Sequence, residues 1–239
     1  MNEALPTYLQ IAHQLRQNLQ SGTYQAGEQI PTEAQLAQRF NVNRHTLRRA
    51  IGLLKEEGLL RVDQGRGTFV ANPLIRYPIG QRVRYNETLK AHGHTASFKL
   101  IRAVAIPAEA AIAKELEISL GSEVALIERL DFADNQPISI SSSYFPMAEF
   151  PDILEHAQAM QSISKVLREI YGCEHIRRTT RVSARMVKLT DARLLELPLN
   201  CPILLAESVN VDQHHRVIQY GVTRFRGDRM ELEFHNTLL

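Results

Sequence analysis

The sequence contains no tryptophan, only two cysteines among 239 residues, and no apolar run near the roughly 20 residues that span a bilayer. Cys173 and Cys201 are too few for a disulfide framework and do not form a CxxC pair, which favours a reducing compartment. The N-terminal MNEALPTYLQ lacks the basic and then apolar blocks of a signal peptide. We therefore expect a cytoplasmic protein with no membrane partner.

Motifs that carry catalysis are also missing from the sequence. It has no GxSxG, no P-loop and no HExxH, and therefore no recognisable nucleophile elbow, phosphate loop or zinc helix. Two histidine groups, at residues 92–94 (HGH) and 214–215 (HH), have no cysteine or carboxylate partner at a spacing typical of metal sites. We expect no enzymatic activity, no metal and no cofactor.

Length and composition favour two globular domains. A chain of 239 residues exceeds what one core usually holds, and 44% hydrophobic with 23% charged residues is typical of ordered protein. Residues 1–72 hold eight Lys/Arg against six Asp/Glu, whereas residues 73–239 hold twenty of each. We predict a first domain over residues 1–72, a linker over residues 73–80 and a second domain over residues 81–239. The charge excess weakly indicates a polyanionic partner for the first domain.

Three helical patterns and a hairpin pattern fill the first domain. Apolar spacing predicts a helix over residues 7–21, and a capping-box pattern begins a second over residues 32–40. A third begins at Asn43 as the cap and ends before Gly58. Residues 59–62 and 68–70 read as strands joined by a turn with two glycines. This order of elements predicts a winged helix-turn-helix.

The third helix has an apolar face and a basic face, because about 100° separates successive residues. The apolar set is Leu47, Ala50, Ile51 and Leu54, and the basic set is Arg44, His45, Arg48 and Arg49. A solvated basic face is the ordinary alternative, but the turn and the wing follow in the order that DNA binding requires. Arg44 and Arg48 are candidates for reading guanine edges in the major groove. The DNA-binding candidates are Thr32, Asn43, Arg44, His45, Thr46, Arg48, Arg49, Gly65, Arg66 and Gly67.

The segments PTE at 31–33, LA at 36–37, VNRHTLRRA at 42–50 and QGRGTFV at 64–70 resemble the winged-helix domain of the GntR family of bacterial transcription regulators. The resemblance implies a homodimer that binds double-stranded operator DNA. The family commonly has an Arg directly after the Glu of its Pro-Ser-Glu-Arg motif, and this chain has Ala34 there. Recognition is therefore expected to depend on Arg44, Arg48 and the Arg66 wing, with Asn43, Thr46 and Arg49 suited to phosphate oxygens.

The second domain contains an internal repeat. Pro107 is predicted to begin a helix over residues 108–116, followed by strands over residues 124–132 and 138–145. Residues 116–128 align without gaps on residues 195–207, and a helix over residues 162–171 and a strand over residues 176–187 complete the domain. We predict an α+β fold in which two hairpins with pseudo-two-fold symmetry share one antiparallel sheet.

Two rows of polar residues occupy predicted strands. Alternation places Ser139, Ser141 and Ser143 on one face of their strand, and Arg177, Arg181 and Arg185 on one face of theirs. The simplest interpretation of each row is a strand face that is exposed to solvent. The functional interpretation is a pocket for a small anion, to which the N-terminus of the helix at Ser162 adds amides and dipole.

This half resembles the UTRA effector domain of the HutC branch of the GntR family, through RYN at 84–86, ADNQPI at 133–138, YFP at 144–146 and RGDR at 226–229. The resemblance, with the polar rows, gives the effector-binding candidates Arg84, Tyr85, Asn86, Arg129, Ser141, Ser162, Arg177, Arg181, Tyr220 and Arg224. Two positions differ from the family pattern, with Asp131 in place of an Arg and Ser141 in place of a Glu, so a sugar phosphate is a less secure ligand. Residues 43–51, 77–80 and 180–185 are most similar to regulators of phosphonate utilisation.

These patterns predict a ligand-responsive repressor that a small anionic effector, phosphonate or phosphate-like, releases from a palindromic operator. One rival is an enzyme that binds a phosphorylated metabolite through the basic rows. Another is a constitutive DNA-architectural protein whose second domain only dimerises. The missing catalytic motifs disfavour the enzyme. The replacement of Arg129 by Ser208 at the equivalent position of the repeat disfavours the architectural protein.

Overall fold

The structure is a computed structural model that describes residues 5–63, 65–71, 74–82, 85–91, 93–157 and 162–234. The chain divides into two compact units, Met1–Pro73 and Leu74–Leu239. Among the described residues, no helix is long and apolar enough to cross a membrane.

The first unit is a three-helix core with a two-stranded wing. Its elements are α1 (Thr7–Gln20), α2 (Glu33–Arg39), α3 (Arg44–Glu56), β1 (Leu60–Asp63) and β2 (Gly67–Val70). The strands are antiparallel, with Leu60 opposite Val70 and Asp63 opposite Gly67. Ile11 and Leu15 of α1 pack with Leu36 of α2 and the apolar face of α3, as the helical spacing predicts.

Side-chain caps fix where α2 and α3 begin. The Thr32 hydroxyl accepts from the Gln35 amide at 3.4 Å, while the Gln35 side chain accepts from the Thr32 amide at 2.9 Å, which completes the predicted capping box. Asn43 accepts from the Thr46 amide at 2.8 Å and caps α3. Between the helices, Asn41 has a φ of 51°, which turns the chain within a few residues.

The second unit contains one large sheet covered by helices on both faces. Its elements are β3 (Ile75–Pro78), α4 (Tyr85–Ala91), β4 (Ala96–Pro107), α5 (Ala110–Leu116), β5 (Glu123–Ala133), β6 (Gln136–Pro146), α6 (Ile153–His156), α7 (Ile163–Tyr171), β7 (Ile176–Met186), α8 (Leu189–Leu195), β8 (Pro202–Val211), β9 (Val217–Arg226) and β10 (Met230–Glu233). The strand order is β4-β5-β6-β9-β8-β7, and every pairing is antiparallel. The α+β fold class is confirmed.

The duplication organises this sheet. One half is β4-α5-β5-β6 and the other is β7-α8-β8-β9, and the halves meet where β6 pairs with β9. Both α5 and α8 end at a glutamate in the left-handed region, Glu117 with a φ of 58° and Glu196 with a φ of 54°. Val124 and Val209 pack with α5, whereas Leu130 and Ile203 pack with α8. The opposite face of the sheet contacts α6, α7 and the β3–β10 pair.

Two sequence expectations were wrong here. Residues 75–78 of the predicted linker form β3, which pairs in parallel with β10, because Ile75 and Tyr77 alternate into the core. Pro107 ends the strand β4 instead of beginning a helix, and α5 starts at Ala110. The strand β4 was not predicted, since its polar residues alternate with apolar ones only weakly around a bulge between Leu100 and Arg102.

Candidate functional site

The first unit presents a basic surface along α3. Leu47, Ala50 and Leu54 are buried against the core, while Arg44, His45 and Arg48 on the other side of the helix are exposed. The apolar side therefore fixes the helix, and the basic side is free to enter a groove about 12 Å wide.

Two of the predicted DNA contacts are held by neighbours within this unit. Arg48 Nε donates to Glu33 Oε2 at 2.7 Å, which ties the guanidinium to the first turn of α2 while two thirds of the side chain, 66%, stays exposed. The Arg49 guanidinium lies 3.8 Å from the centroid of the Tyr8 ring in α1. Asn43, Thr46 and Thr32 direct side-chain oxygens into helix caps, so at these positions the cap competes with a phosphate contact.

The wing turn holds Arg66 outward. Gly65 and Gly67 have φ values of 77° and 118°, a backbone conformation that residues other than glycine rarely adopt. The side-chain Nε2 of Gln29 donates to the Arg66 carbonyl at 2.9 Å, and a Cβ atom at Gly67 would lie only 2.3 Å from this nitrogen. Gly67 is therefore required by its conformation, whereas the end of the flexible Gln29 side chain could move away from a Cβ atom.

The second unit contains a partly open cavity of about 120 Å³ on the face of the sheet that carries α7, and we call it the sheet cavity. A buried water needs roughly 10 to 15 Å³ on this measure, so the sheet cavity has room for a ligand of about ten non-hydrogen atoms. Its polar lining residues are Tyr77, Arg129, Asp131, Ser139, Ser141, Ser143, Ser162, Ser164, His175, Arg177, Ser208, Asn210, Gln219 and Thr223.

A buried ion pair forms one wall of the sheet cavity. Arg129 and Asp131 are 5% and 4% exposed, and Arg129 Nη2 donates to Asp131 Oδ1 at 3.0 Å. Asp131 Oδ2 also accepts from the hydroxyls of Ser139 at 3.3 Å and Ser141 at 3.1 Å. The Arg129 guanidinium lies 4.2 Å from the centroid of the Phe98 ring. The pair brings both signs of charge to the wall and leaves it close to neutral.

Arg177 supplies the remaining charged group of the lining. Its Nη1 donates to the Gly80 carbonyl at 2.6 Å and its Nη2 donates to the Tyr77 hydroxyl at 3.3 Å. Its buried Nε has no hydrogen-bond partner within the described ranges. With the charges of Arg129 and Asp131 cancelling, the lining carries one net positive charge.

A chain of neutral side chains crosses the floor of the sheet cavity. The Ser164 hydroxyl lies 2.8 Å from His175 Nδ1, and His175 Nε2 lies 2.6 Å from Gln219 Oε1. Gln219 Oε1 also accepts from Asn210 Nδ2 at 2.6 Å, and Gln219 Nε2 donates to the Ser143 hydroxyl at 2.9 Å. Burial, followed by the charge of Arg177, lowers the pKa of His175 to about 4. This histidine is therefore neutral at physiological pH.

Four predicted effector-binding residues line the sheet cavity together. Arg129, Ser141, Ser162 and Arg177 come from β5, β6, the cap of α7 and β7. The Ser162 hydroxyl accepts from the Lys165 amide at 3.3 Å, which places the N-terminal turn of α7 against the cavity. His175, Asn210 and Gln219 were not predicted as site residues, since isolated polar residues within or just before a strand carry no distinguishing pattern.

Three predicted effector-binding residues lie on the opposite face of the sheet, so their assignment to the pocket was wrong. Arg181 donates to Glu115 of α5 at 2.8 Å, and the Tyr220 hydroxyl donates to Glu207 at 2.7 Å. Arg224 donates to the Ser142 hydroxyl at 2.6 Å on that face. Burial, followed by the bond to Glu207, raises the pKa of Tyr220.

A bulge explains why the arginine row divides. Arg177 pairs with Asn210 and Thr179 pairs with Val209, so Arg178 is an extra residue that reverses the alternation after it. The serine row has no such interruption, and Ser139, Ser141 and Ser143 share one face as predicted. Of the other candidates, Arg84 and the side chains of Tyr85 and Asn86 lie outside the described residues.

Both units match known family models. Residues 7–70 match the model described as bacterial regulatory proteins, gntR family, and residues 91–231 match that of the UTRA domain.

Several relatives match this chain over nearly its whole length. The chain is 34% identical over 226 residues to the "Probable transcriptional regulator PhnF" of Escherichia coli strain K12. The alignment covers 94% of this chain and 92% of that protein. It is 27% identical over 225 residues to the "HTH-type transcriptional repressor NagR" of Bacillus subtilis strain 168, with 94% and 92% covered. The crystal structure of PhnF from Mycobacterium smegmatis superposes with a TM-score of 0.69 at 27% identity, covering 95% of this chain and 99% of that one.

Proposed function

The chain belongs to the GntR family of bacterial transcription regulators, in the HutC type that carries a UTRA effector domain, and we propose that it is a repressor released from its operator by a small anion. Proteins of this type are regulators and not enzymes: the gntR unit binds DNA and the UTRA domain binds a small effector. The Bacillus subtilis relative that is named a repressor supports the direction of control. We place the protein in the cytoplasm as a homodimer on a palindromic operator.

We assign the DNA contacts to the exposed side of α3 and to the wing. Arg44 and Arg48 would read guanine edges, with Arg48 held in a fixed direction by Glu33 at 2.7 Å. His45, Arg49 and Arg66 would contact phosphates or the minor groove. We propose a DNA-binding domain over residues 1–72 and an effector-binding domain that ends at residue 239, and we assign residues 75–78 of the predicted linker to the effector-binding part.

The anionic effector is supported by the charge and the donors of the sheet cavity. The lining carries one net positive charge, and the Arg177 Nε is a donor that has no partner among the described residues. The N-terminus of α7 borders the cavity and adds the positive end of its dipole. The room for about ten non-hydrogen atoms suits a small phosphonate or phosphate ester. A phosphonate remains the first choice among these anions.

Arg177 offers a route from the effector to the DNA-binding unit. It lines the sheet cavity and also binds Tyr77 and Gly80, which follow the boundary between the units at Pro73 by only a few residues. An anion that draws the guanidinium toward the cavity would weaken these two bonds and change the conformation of residues 77–80. Such an effect needs a different effector affinity in the two states of the protein.

The single observation that carries this proposal is the arginine-lined cavity in a domain whose family binds effectors. The test is a gel shift of the full-length protein on the DNA upstream of its own operon, with phosphate, phosphonates and phosphate esters added in turn. Release by one of them supports the repressor. A shift that no anion alters favours a constitutive DNA-architectural protein, and enhanced binding indicates an activator or corepressor arrangement instead.

A further inference from the structure

The sheet cavity contains an acceptor that has no donor. Asn210 is 4% exposed, lines the cavity and donates its Nδ2 to Gln219, while its Oδ1 is buried with no hydrogen-bond partner among the residues described. An unpaired buried amide oxygen is costly, and native proteins leave few of them unpaired. A ligand that fills the cavity and brings a donor to this atom would remove the cost.

The neighbouring bonds fix the direction of the Asn210 amide. Gln219 Nε2 donates to the Ser143 hydroxyl, so Gln219 Oε1 faces His175 and Asn210. Because that oxygen accepts from both of them, Asn210 must direct its NH₂ group toward Gln219 and its carbonyl oxygen away. The Ser164 hydroxyl on His175 Nδ1 completes the chain and ties it to the first turn of α7.

Asn210 also lies directly opposite Arg177. The two residues are partners in the antiparallel register of β7 and β8, where opposite Cβ atoms are about 5 Å apart. The Arg177 Nε is a donor without an acceptor, and the Asn210 Oδ1 is an acceptor without a donor. The two residues therefore hold, in paired positions at the cavity, one donor and one acceptor that lack partners among the described residues.

We propose that the effector is a small anion that also carries a hydroxyl or amine donor two or three bonds from its anionic group, and that Asn210 selects this donor. This inference rests on the proposed function, since it assumes that an anion binds in the sheet cavity near Arg177. It goes further by excluding plain inorganic phosphate and alkyl phosphonates as the preferred ligands. Asn210 is then a specificity-determining residue and Arg177 the anion-binding one.

Three phosphonates of nearly equal size test the proposal on the full-length protein: propylphosphonate, 2-hydroxyethylphosphonate and 2-aminoethylphosphonate. Isothermal titration calorimetry should give the two donor-bearing compounds at least about tenfold tighter binding than propylphosphonate, because only they pair with the buried acceptor. Equal affinity for all three would overturn the inference and leave the anionic effector standing. If neither these compounds nor phosphate and phosphate esters bind, the proposed function fails as well.

Two substitutions locate the selectivity. Asn210→Leu, which removes the acceptor, should reduce the preference to less than about twofold while propylphosphonate still binds. Asn210→Asp, which has the same shape and keeps an acceptor, should favour the amine over the hydroxyl compound, and it serves if the leucine variant does not fold. Ser208→Ala is the matched control, because Ser208 lines the same cavity but bonds Thr180 at 2.8 Å. Preference retained in Asn210→Leu, or lost in Ser208→Ala, would contradict the assignment to Asn210.

Discussion

Replacing Asp131 with Asn should make the protein bind its anionic effector more tightly. Asp131 is 4% exposed on the wall of the sheet cavity, where its charge offsets that of Arg129 at 3.0 Å. Asparagine keeps the shape and an acceptor for Arg129, but it removes the negative charge that opposes an anion in the same cavity.

The size of the cavity sets the magnitude. For a ligand held in the cavity of about 120 Å³, we take a separation of roughly 6 to 8 Å between its charge and the Asp131 carboxylate. At that separation and an effective dielectric constant near 20, one unit of negative charge on the ligand is repelled by about 2 to 3 kcal/mol. We expect Asp131→Asn to lower the Kd for a monoanion by roughly 30-fold or more, and for a dianion by a larger factor.

Calorimetric titration of the wild type and the variant with the same anion measures this change. The free energy of unfolding should fall by about 3 to 5 kcal/mol, because the substitution leaves the buried Arg129 charge uncompensated, although Arg129 still lies over the Phe98 ring at 4.2 Å. Asp134→Asn is the control, since its carboxylate bonds His94 at 2.6 Å and does not line the cavity. Unchanged or weaker anion binding by Asp131→Asn would refute the reasoning, because Asp131 would then act mainly by orienting Arg129.

Three further predictions concern DNA binding, pH and coupling. Arg48→Ala should weaken operator binding by about 1 to 3 kcal/mol in a fluorescence anisotropy titration. The control Arg16→Ala removes an arginine bonded to Glu57 in the same unit and should leave operator binding unchanged. Equal effects of the two substitutions would show that Arg48 does not read bases. His175 has a pKa of about 4 when folded and near 6.5 when unfolded, so stability should fall by about 3 kcal/mol between pH 6.5 and pH 4 as the unfolded chain takes up the proton first. Urea unfolding across this range should show less of that loss in His175→Gln, and an identical loss would contradict the buried neutral histidine. Arg177→Leu should retain operator binding without effector but lose release by the anion in a gel shift, and normal release would exclude Arg177 as the route.

The sequence was most informative where local rules act alone. The capping residues Thr32 and Asn43 and the spacing of Leu47, Ala50 and Leu54 predict the helices of the first unit, since caps and helical faces depend on residues three or four apart. The internal repeat predicts the duplicated hairpins, because aligned apolar residues serve equivalent cores.

The residues that line the sheet cavity could be predicted only in part. Ser139 and Ser141 follow simple alternation along β6, so their common face was predictable. Arg181 was misplaced because the bulge after Arg177 reverses the alternation, and a bulge depends on long-range pairing with β8. Asn210 and its bonded chain gave no signal, since a lone buried amide is recognised only by what surrounds it.

The central claim is that anion binding in the sheet cavity and operator binding by the winged helix oppose each other through one equilibrium. The most direct measurement is the Kd of the releasing anion for the full-length protein, free and saturated with operator DNA. Linkage requires that DNA weaken anion binding by the same factor by which the anion weakens DNA binding. We predict matching factors of at least about fivefold, in the range typical of allosteric coupling. An anion Kd that operator DNA leaves unchanged would contradict the account.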